Sequence, residues 1–253
     1  MIKKRIILAL TFKDGVLFRT KKFKPDYRYT KNFIDLWSAD EMILIDISEN
    51  KQKKNFIDIV KFFSNNCHLP ISVGGGIKNI SQVKKLFKVG ADKIILNSSS
   101  FYDWDIIKKV SQIYGSQSII HSVDCKLIKS KKFKVAINNG TKIVSYNPIE
   151  WVKKAISYGC GEILINDIDY DGSLIGYNIP LIKNITSKIK KPCLALGGAG
   201  SWNHIYELFK KTNVSGACTQ NIYHFTNESI NSLKNYLKSK KIPIRHTNDN
   251  YTL

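Results

Sequence analysis

The chain has 253 residues, of which 40 are lysine or arginine and 20 are aspartate or glutamate, giving a formal charge of +20. Its length fits the about 250 residues of a one-domain α/β barrel, and no stretch reaches the roughly 18 uninterrupted apolar residues of a membrane span or has the pattern of a signal peptide, so we expect a cytoplasmic protein without membrane contact. The positive charge is almost all lysine, since arginine occurs only at positions 5, 19, 28 and 245, and in a chain crowded with Ile and Asn it indicates solvated helix faces, not a nucleic-acid surface.

Short apolar, β-branched runs alternate with longer amphipathic stretches along the chain, which predicts repeated β-α units around a parallel sheet. The predicted strands lie near residues 5–12, 42–47, 70–73, 93–97, 118–124, 162–167, 193–196 and 216–220. Between them, segments such as 80–87 place apolar residues three and four positions apart, the spacing of one buried helix face. Eight such units predict a single (β/α)8 barrel, a TIM barrel, over residues 1–253, with a polar tail at 247–253 that frays.

The second half of the sequence echoes the first. Residues 6–13 correspond to residues 119–126, and the glycines at 74–76 correspond to Gly197 and Gly198. Two half-barrels of four units each, roughly residues 1–115 and 116–245, are the simplest account of this repeat. The upper rim is therefore expected to carry two similar sites that face each other.

Glycine-rich turns and short polar residues follow the predicted strands where barrels of this kind commonly bind phosphate. One predicted phosphate cradle consists of Gly75, Gly76, Asn97 and Ser98. The second consists of Gly197, Gly198 and Asn221, closed by a loop that contributes Asp171, Gly172, Ser173 and Gly176. Because glycine lets backbone N–H groups approach an anion closely, we expect a phosphorylated small-molecule substrate with a phosphate at each end.

These turns and several shorter segments carry a specific resemblance. The segments include Lys4-Arg5-Ile6-Ile7, Lys13-Asp14-Gly15, Val73-Gly74-Gly75-Gly76-Ile77, Gly90-Ala91-Asp92-Lys93, Asp171-Gly172 and Gly197-Gly198-Ala199-Gly200. Nearly end to end, the chain resembles the cyclase subunit of imidazole glycerol phosphate synthase, the HisF family of histidine biosynthesis. The resemblance implies a lyase-type cyclase without cofactor that receives ammonia from a HisH-like glutaminase docked at the N-terminal face of the barrel. The ammonia is used at the rim to convert a bis-phosphate aminoimidazole ribonucleotide precursor.

Four charged residues are predicted to meet at the base of the barrel. Side chains alternate across a strand, so Arg5 shares a face with position 11, and the same count places Glu41, Lys93 and Glu162 inward. An unmatched buried charge is costly, so the four are expected to pair as a neutral ring. The resemblance makes this ring the gate for ammonia and makes Asp92 a residue that faces the glutaminase. A structural plug is the alternative interpretation.

The resemblance fails at one of two catalytic positions. The family uses opposed aspartates at the ends of strands one and five, because cyclisation needs one group to take protons and another to deliver them. Asp124 matches the second, but the first position holds Thr11, whose hydroxyl does not ionise near neutral pH. At other rim positions, Arg19, which is predicted to bind phosphate, stands where the family has lysine, and Asn166 and Leu196 replace threonine and serine. Leu196 removes a polar group from the phosphate side.

Three functions remain open. The first is a divergent paralogue that docks a glutaminase and conducts ammonia for amidination of a surface-polysaccharide sugar by a separate sugar amidotransferase, because the resemblance includes such paralogues. The second is an ordinary cyclase of histidine biosynthesis, in which Asp124 shares proton transfer with a neighbour such as Asp46 or Asp171. The third is a non-catalytic scaffold that activates the glutaminase.

Cysteine and histidine predict no further site. Cys67, Cys125, Cys160, Cys193 and Cys218 are widely spread without a C-x-x-C pair, which favours reduced packing residues. His121, His204, His224 and His246 lack metal-ligand spacing, so no metal is expected. The segment 223–225 is interpreted as packing at the start of the last helix.

Overall fold

The strands of the chain close into a barrel in the computed structural model, which describes residues 3–29, 38–49, 54–129, 131–220 and 230–245. The strands are β1 (Arg5–Lys13), β2 (Val16–Lys21), β3 (Lys24–Tyr29), β4 (Glu41–Asp46), β5 (Ile71–Gly74), β6 (Lys93–Leu96), β7 (Ile119–Leu127), β8 (Phe133–Ile137), β9 (Lys142–Ile143), β10 (Glu162–Asp167), β11 (Cys193–Leu196) and β12 (Gly216–Thr219). The parallel order β1-β4-β5-β6-β7-β10-β11-β12 returns to β1. The predicted (β/α)8 barrel is confirmed, and all eight predicted strands overlap barrel strands.

Two antiparallel extensions rise from the rim of the barrel. β2 pairs with β1 and β3 with β2, while β8 pairs with β7 and β9 with β8. We call residues 14–29 the first flap and residues 128–129 and 131–143 the second flap. They follow the first and fifth barrel strands, which are equivalent places in the two predicted half-barrels. The half-barrel boundaries themselves stay a prediction.

Helices cover the outside of the barrel. Those described are α1 (Lys54–Asn66), α2 (Ile80–Lys88), α3 (Ser98–Tyr102), α4 (Asp105–Tyr114), α5 (Pro148–Ser157), α6 (Ile179–Thr186), α7 (Trp202–Lys211) and α8 (Ile230–Ser239). Local sequence sets their starts: Asn147 and Glu150 form a reciprocal capping box at α5, and Pro148 occupies the first turn. None of the helices in the described residues has the length and apolar character to cross a membrane.

Among the residues that the structure describes, the buried apolar side chains form two separate clusters, because strand side chains alternate between the two faces of the barrel wall. The larger cluster lies between wall and helices and includes the fully buried Phe12, Phe63 and Trp151. The smaller one fills the barrel interior with Ile7, Ala9, Ile43, Ile95, Ile120, Leu164, Leu194 and Cys218. All five cysteines are free and buried. The interior is therefore a packed core between a base, where the strands start, and a mouth, where they end.

Candidate functional site

The base of the barrel holds a closed ring of four charged side chains, Arg5, Glu41, Lys93 and Glu162, which we call the floor ring. Arg5 Nη1 lies 2.7 Å from Glu41 Oε1, and Arg5 Nη2 pairs with Glu162 Oε1. Lys93 Nζ lies 3.3 Å from Glu41 Oε2 and 3.0 Å from Glu162 Oε2. Each carboxylate thus binds arginine with one oxygen and lysine with the other. The structure brings together all four residues predicted for the gate.

Charge pairing compensates for burial in the floor ring. Burial acts to lower the pKa of Arg5, but the charges of Glu162 and Glu41 outweigh it and raise that pKa. Burial likewise acts to raise the pKa of Glu41, and the charges of Arg5 and Lys93 lower it below its ordinary value. The arginine and both glutamates are buried, whereas the Lys93 side chain keeps 20% of its surface exposed. The ring is therefore a neutral, closed arrangement with lysine as its most accessible member.

The interior cluster separates the floor ring from the mouth. Ile7 and Ile43 are the next inward-facing residues above Arg5 and Glu41 on their strands. Most side chains at this level are apolar, and the hydroxyl of Ser72, in register with Ile43, and the thiol of Cys218, in register with Ile7, are the polar groups beside them. An ion therefore finds few partners at this level. Transfer into this layer costs less free energy for a small neutral molecule than for an ion.

Above the interior cluster, the mouth contains a cavity of about 760 Å³. We call it the mouth cavity. It is lined by these residues predicted as site residues: Thr11, Gly75, Gly76, Asn97, Ser98, Asp124, Asp171, Gly172, Gly197 and Gly198. Arg19, Ser173 and Gly176 do not border it, and Asn221 lies outside the described residues. The cavity has the size and concave shape typical of small-molecule sites.

The two predicted catalytic positions lie on opposite sides of the mouth cavity, because β1 and β7 are four strands apart in an eight-stranded barrel. Asp124 accepts hydrogen bonds from Ser122 Oγ, at 2.8 Å, and from the Asn97 side-chain amide. Thr11 stands opposite Ile45 on β4 and Phe18 on β2. One side of the mouth thus offers an oriented carboxylate, and the other offers a hydroxyl.

The first predicted phosphate cradle depends on a close backbone approach. Gly75 has a φ of +100°, and a Cβ there would lie 2.1 Å from the carbonyl oxygen of Asp46. Only glycine fits this turn. Ser98 Oγ accepts a hydrogen bond of 2.8 Å from the backbone N–H of Asn138, which leaves its own hydroxyl proton available to a ligand. Lys78 also borders the cavity on this side and supplies a cation that sequence reasoning did not identify.

In the second predicted cradle, backbone groups already form hydrogen bonds within the protein. The carbonyl of Gly198 accepts a 2.8 Å hydrogen bond from the N–H of Gly176, and His204 Nδ1 accepts one of 3.2 Å from the N–H of Gly200. Leu196 borders the cavity and presents apolar surface there. These contacts fix the turn but use amide groups that a phosphate would otherwise bind.

Two predicted phosphate residues have protein partners. Arg19 forms an ion pair with Asp26 inside the first flap. Asp171 accepts hydrogen bonds from the N–H of Phe23, at 2.9 Å, and from Thr20 Oγ1, at 3.1 Å. The carboxylate of Asp171 thus holds the first flap beside the mouth cavity, and its negative charge would repel a phosphate. The phosphate-binding roles of both residues stay predictions.

Asp92, predicted to face a partner, is exposed at the base beside Lys93. Its carboxylate accepts a 2.7 Å hydrogen bond from the N–H of Ile71, which fixes the side chain at the start of β5. The position is accessible from the side of the floor ring, as a docking role requires.

Sequence reasoning missed the residues that the flaps bring to the mouth. Phe23, Asn138 and Asn139 line the cavity, and all three have positive φ angles. An Asn-Gly pair between apolar runs is a hairpin signal, and Asn139-Gly140 carries it, as Asp14-Gly15 carries the related one at the first flap. These pairs could have predicted both flaps.

The histidines for which the sequence predicted no metal site have structural roles where the structure describes them. His121 is fully buried against Trp104 and Trp151, and burial lowers its pKa to about 3. His204 caps a backbone turn, while His224 and His246 lie outside the described residues. Within the described residues, no three His, Cys, Asp or Glu side chains are grouped to hold a metal ion.

Comparison with known proteins adds a family to this geometry. A family model described as "Histidine biosynthesis protein" matches residues 5–228. A protein of Hydrogenobaculum sp. (strain Y04AAS1) is 36% identical over 97% of this chain and 100% of its own length. Proteins of Thermococcus onnurineus (33% identical; 97% and 99% covered) and Clostridium botulinum strain Okra (35%; 97% and 100%) are similarly close. Each of the three is named "Imidazole glycerol phosphate synthase subunit HisF".

Proposed function

Because this chain belongs to the HisF family of imidazole glycerol phosphate synthase subunits, we propose that it receives ammonia at its base from a partner glutaminase and conducts it through the floor ring to the mouth cavity. In this proposal the nitrogen passes to an acceptor other than the histidine precursor, for amidination of a surface-polysaccharide sugar by a separate sugar amidotransferase. The observation that carries the proposal is the closed floor ring beneath an apolar interior and an open cavity.

The floor ring supports a gating role through its charge arrangement. Each carboxylate has two cationic partners, so moving Lys93 aside leaves both glutamates still paired with Arg5. Lysine is also the most exposed member and has a flexible stem. A neutral ammonia molecule can therefore enter at the lysine side, whereas a cation meets two carboxylates and then the apolar interior.

The apolar interior supports delivery of uncharged nitrogen. Transfer of an ion into surroundings such as Ile7, Ile43 and Leu164 costs far more than transfer of a neutral molecule. Nitrogen that arrives in the mouth cavity is consequently unprotonated and nucleophilic. The nitrogen is released there close to the oriented carboxylate of Asp124.

The altered mouth supports a changed acceptor. Cyclisation of the family type needs proton transfer on both sides of the substrate, and Thr11 provides no ionisable group near neutral pH. Leu196 replaces a polar contact at the second phosphate cradle with an apolar surface. Both changes lie in the mouth, and neither touches the floor ring.

A second candidate is an ordinary cyclase of histidine biosynthesis. Asp46 and Asp171 border the same cavity as Asp124, so a second carboxylate is at hand. Asp46 accepts hydrogen bonds from the backbone N–H and the hydroxyl of Ser48, and Asp171 holds the first flap. In this candidate, one of these carboxylates takes the proton-transfer role left vacant at position 11.

The test uses the purified chain with a HisH-type glutaminase. We expect the chain to stimulate glutamine hydrolysis and to give little turnover of the bis-phosphate aminoimidazole precursor with ammonium salt. Rapid cyclisation by the wild-type chain would instead identify an ordinary cyclase. Absence of both stimulation and complex formation would refute the glutaminase partnership.

A pore variant separates a conduit from a scaffold. Lys93→Met removes the most accessible charge of the floor ring, and Lys84→Met on the outer helix α2 is the matched control. The readout is the ratio of cyclised product to glutamate formed in the Thr11→Asp background, in which the bis-phosphate precursor traps the ammonia that reaches the mouth cavity. We expect Lys93→Met to change this ratio and Lys84→Met to leave it alone. Equal ratios in the wild type and both variants would favour the scaffold.

A further inference from the structure

The loop after β10 is a rigid support between the two flaps. Asp167, buried at its base, accepts hydrogen bonds from the N–H of Asp169, at 2.9 Å, and from the Asn178 side-chain amide, at 2.7 Å. At the far end, the N–H of Gly176 donates to the carbonyl of Gly198 at 2.8 Å. Both ends of the loop are therefore anchored in the barrel, so side chains in between can hold the two flaps in place.

Asp169 and Asp171 extend from this loop to different flaps. Asp169 pairs with Lys126 and accepts a hydrogen bond from the N–H of Leu127, where β7 enters the second flap. Asp171 accepts from Thr20 Oγ1 and from the N–H of Phe23, and its carbonyl accepts from the N–H of Lys22 at 3.1 Å. Three hydrogen bonds thus hold one turn of the first flap to a single residue.

The turn held by Asp171 has a conformation that the chain does not favour by itself. Lys22 and Phe23 have φ angles of 50° and 65°, a left-handed region that residues with a Cβ rarely occupy. Such a conformation persists only where its surroundings enforce it, and here Asp171 binds both residues. Phe23 in turn packs against Gly140 of the second flap, where a Cβ would lie 3.1 Å from its ring. Release of Asp171 therefore frees the turn and breaks the contact between the flaps.

We propose that Asp171 is a positioning residue that latches the first flap over the mouth cavity, independently of Asp169, which braces the second flap. In the latched state Phe23 and Thr20 form part of the cavity wall. Unlatching widens the mouth and lets a ligand enter or leave. The latch depends on the side-chain oxygens of Asp171, which accept hydrogen bonds from the flap, and not on the negative charge of the carboxylate. It stands on the flap geometry alone and holds for any acceptor.

The test is site-resolved trypsin cleavage of the full chain under native conditions, read by mass spectrometry. Lys21 and Lys22 report opening of the first flap, and Lys129 and Lys131 report the second. Cleavage of a transiently open segment tracks the population of the open form. In Asp171→Ala we expect cleavage after Lys21 and Lys22 to rise at least about tenfold, with little change after Lys129 and Lys131.

Two variants make the result specific. In Asp171→Asn, the side-chain oxygen still accepts from Phe23 and the amide donates to the Thr20 hydroxyl, so cleavage should return to within about threefold of the wild type. Asp169→Ala should raise cleavage after Lys129 and Lys131 and leave the first flap closed. Unchanged cleavage after Lys21 and Lys22 in Asp171→Ala would overturn the proposal. So would an equal rise at all four lysines, which reports global loosening, or an Asn variant as open as the Ala variant.

Discussion

Buried carboxylates at the floor and at the mouth of the barrel have different partners, and their pKa values are shifted in opposite directions. At the floor, Glu41 and Glu162 are paired with full positive charges, and the pKa of Glu41 is lowered after its burial is offset by Arg5 and Lys93. At the mouth, Asp167 and Asp171 are held by hydrogen bonds from neutral donors, and burial raises the pKa of both. The floor is electrostatically complete without a ligand, whereas the mouth still carries the cost of desolvated carboxylates.

This difference indicates that the floor contributes mainly to stability, whereas the mouth determines which ligand binds. The floor ring is neutral only with all four members, and removal of any one of them leaves an excess buried charge. The mouth carboxylates gain from any ligand that brings hydrogen-bond donors or positive charge. Replacement of residues at the mouth, such as Thr11 and Leu196, can therefore change the substrate at little cost in stability, whereas a comparable change at the floor lowers the free energy of unfolding.

The largest effect is expected from removal of an arginine in the floor ring. Arg5→Met removes the partner shared by Glu41 and Glu162, so we expect the free energy of unfolding to fall by about 3–5 kcal/mol at neutral pH. Urea denaturation measures this change in the free energy of unfolding. Adding Glu41→Gln should recover part of the loss, because one fewer buried charge is left unpaired. A loss below about 1 kcal/mol would show that the ring is hydrated and not a buried network.

A second buried ion pair provides the control for this variant. Lys234 Nζ lies 2.7 Å from Asp40 Oδ1, outside the barrel interior, and tethers α8 to the residue that precedes β4. Lys234→Met should destabilise the protein to a similar extent. It should leave the ratio of delivered nitrogen to glutamate unchanged, because Lys234 is not part of the floor ring.

The next effect comes from giving the mouth the acid-base group that Thr11 lacks. Thr11→Asp places a second carboxylate across the cavity from Asp124, and general acid-base catalysis typically contributes at least about a hundredfold. We expect cyclisation of the bis-phosphate precursor with ammonium salt to appear or rise by that factor, as measured by product absorbance. Thr11→Asn has the same shape without the ionisable group and should remain inactive. Equal rates for the two variants would mean that the mouth has diverged beyond this one position.

The sequence predicted the floor better than the mouth, for a physical reason. The floor follows from strand alternation, so Arg5 and Glu41 face inward wherever the strands form, and charge neutrality then requires their pairing. The mouth is built by irregular segments whose contacts span most of the chain, such as the bond from Phe23 to Asp171. No local pattern indicates that Asp171 accepts from a flap instead of lying beside a phosphate. The glycine turn at Gly75 was predictable because only glycine permits its backbone approach.

The smallest effect is a difference in pH dependence between the two regions. The folded-state pKa of Glu41 lies below its ordinary value of 4.5, so its contribution to stability is present above that pH and is lost as the pH falls through the folded pKa. The folded-state pKa of Asp171 lies above its ordinary value of 3.8, so its contribution has the opposite sign and falls as the pH rises from 3.8 through the folded pKa.

Unfolding free energies measured by urea denaturation between about pH 3 and pH 7 compare the variants with the wild type. Glu41→Gln should flatten the acid-side loss of stability. Asp171→Asn should gain relative to the wild type as the pH rises, because the amide has no charge to desolvate. Slopes that change in the same direction in both variants would mean that floor and mouth carboxylates share one electrostatic environment.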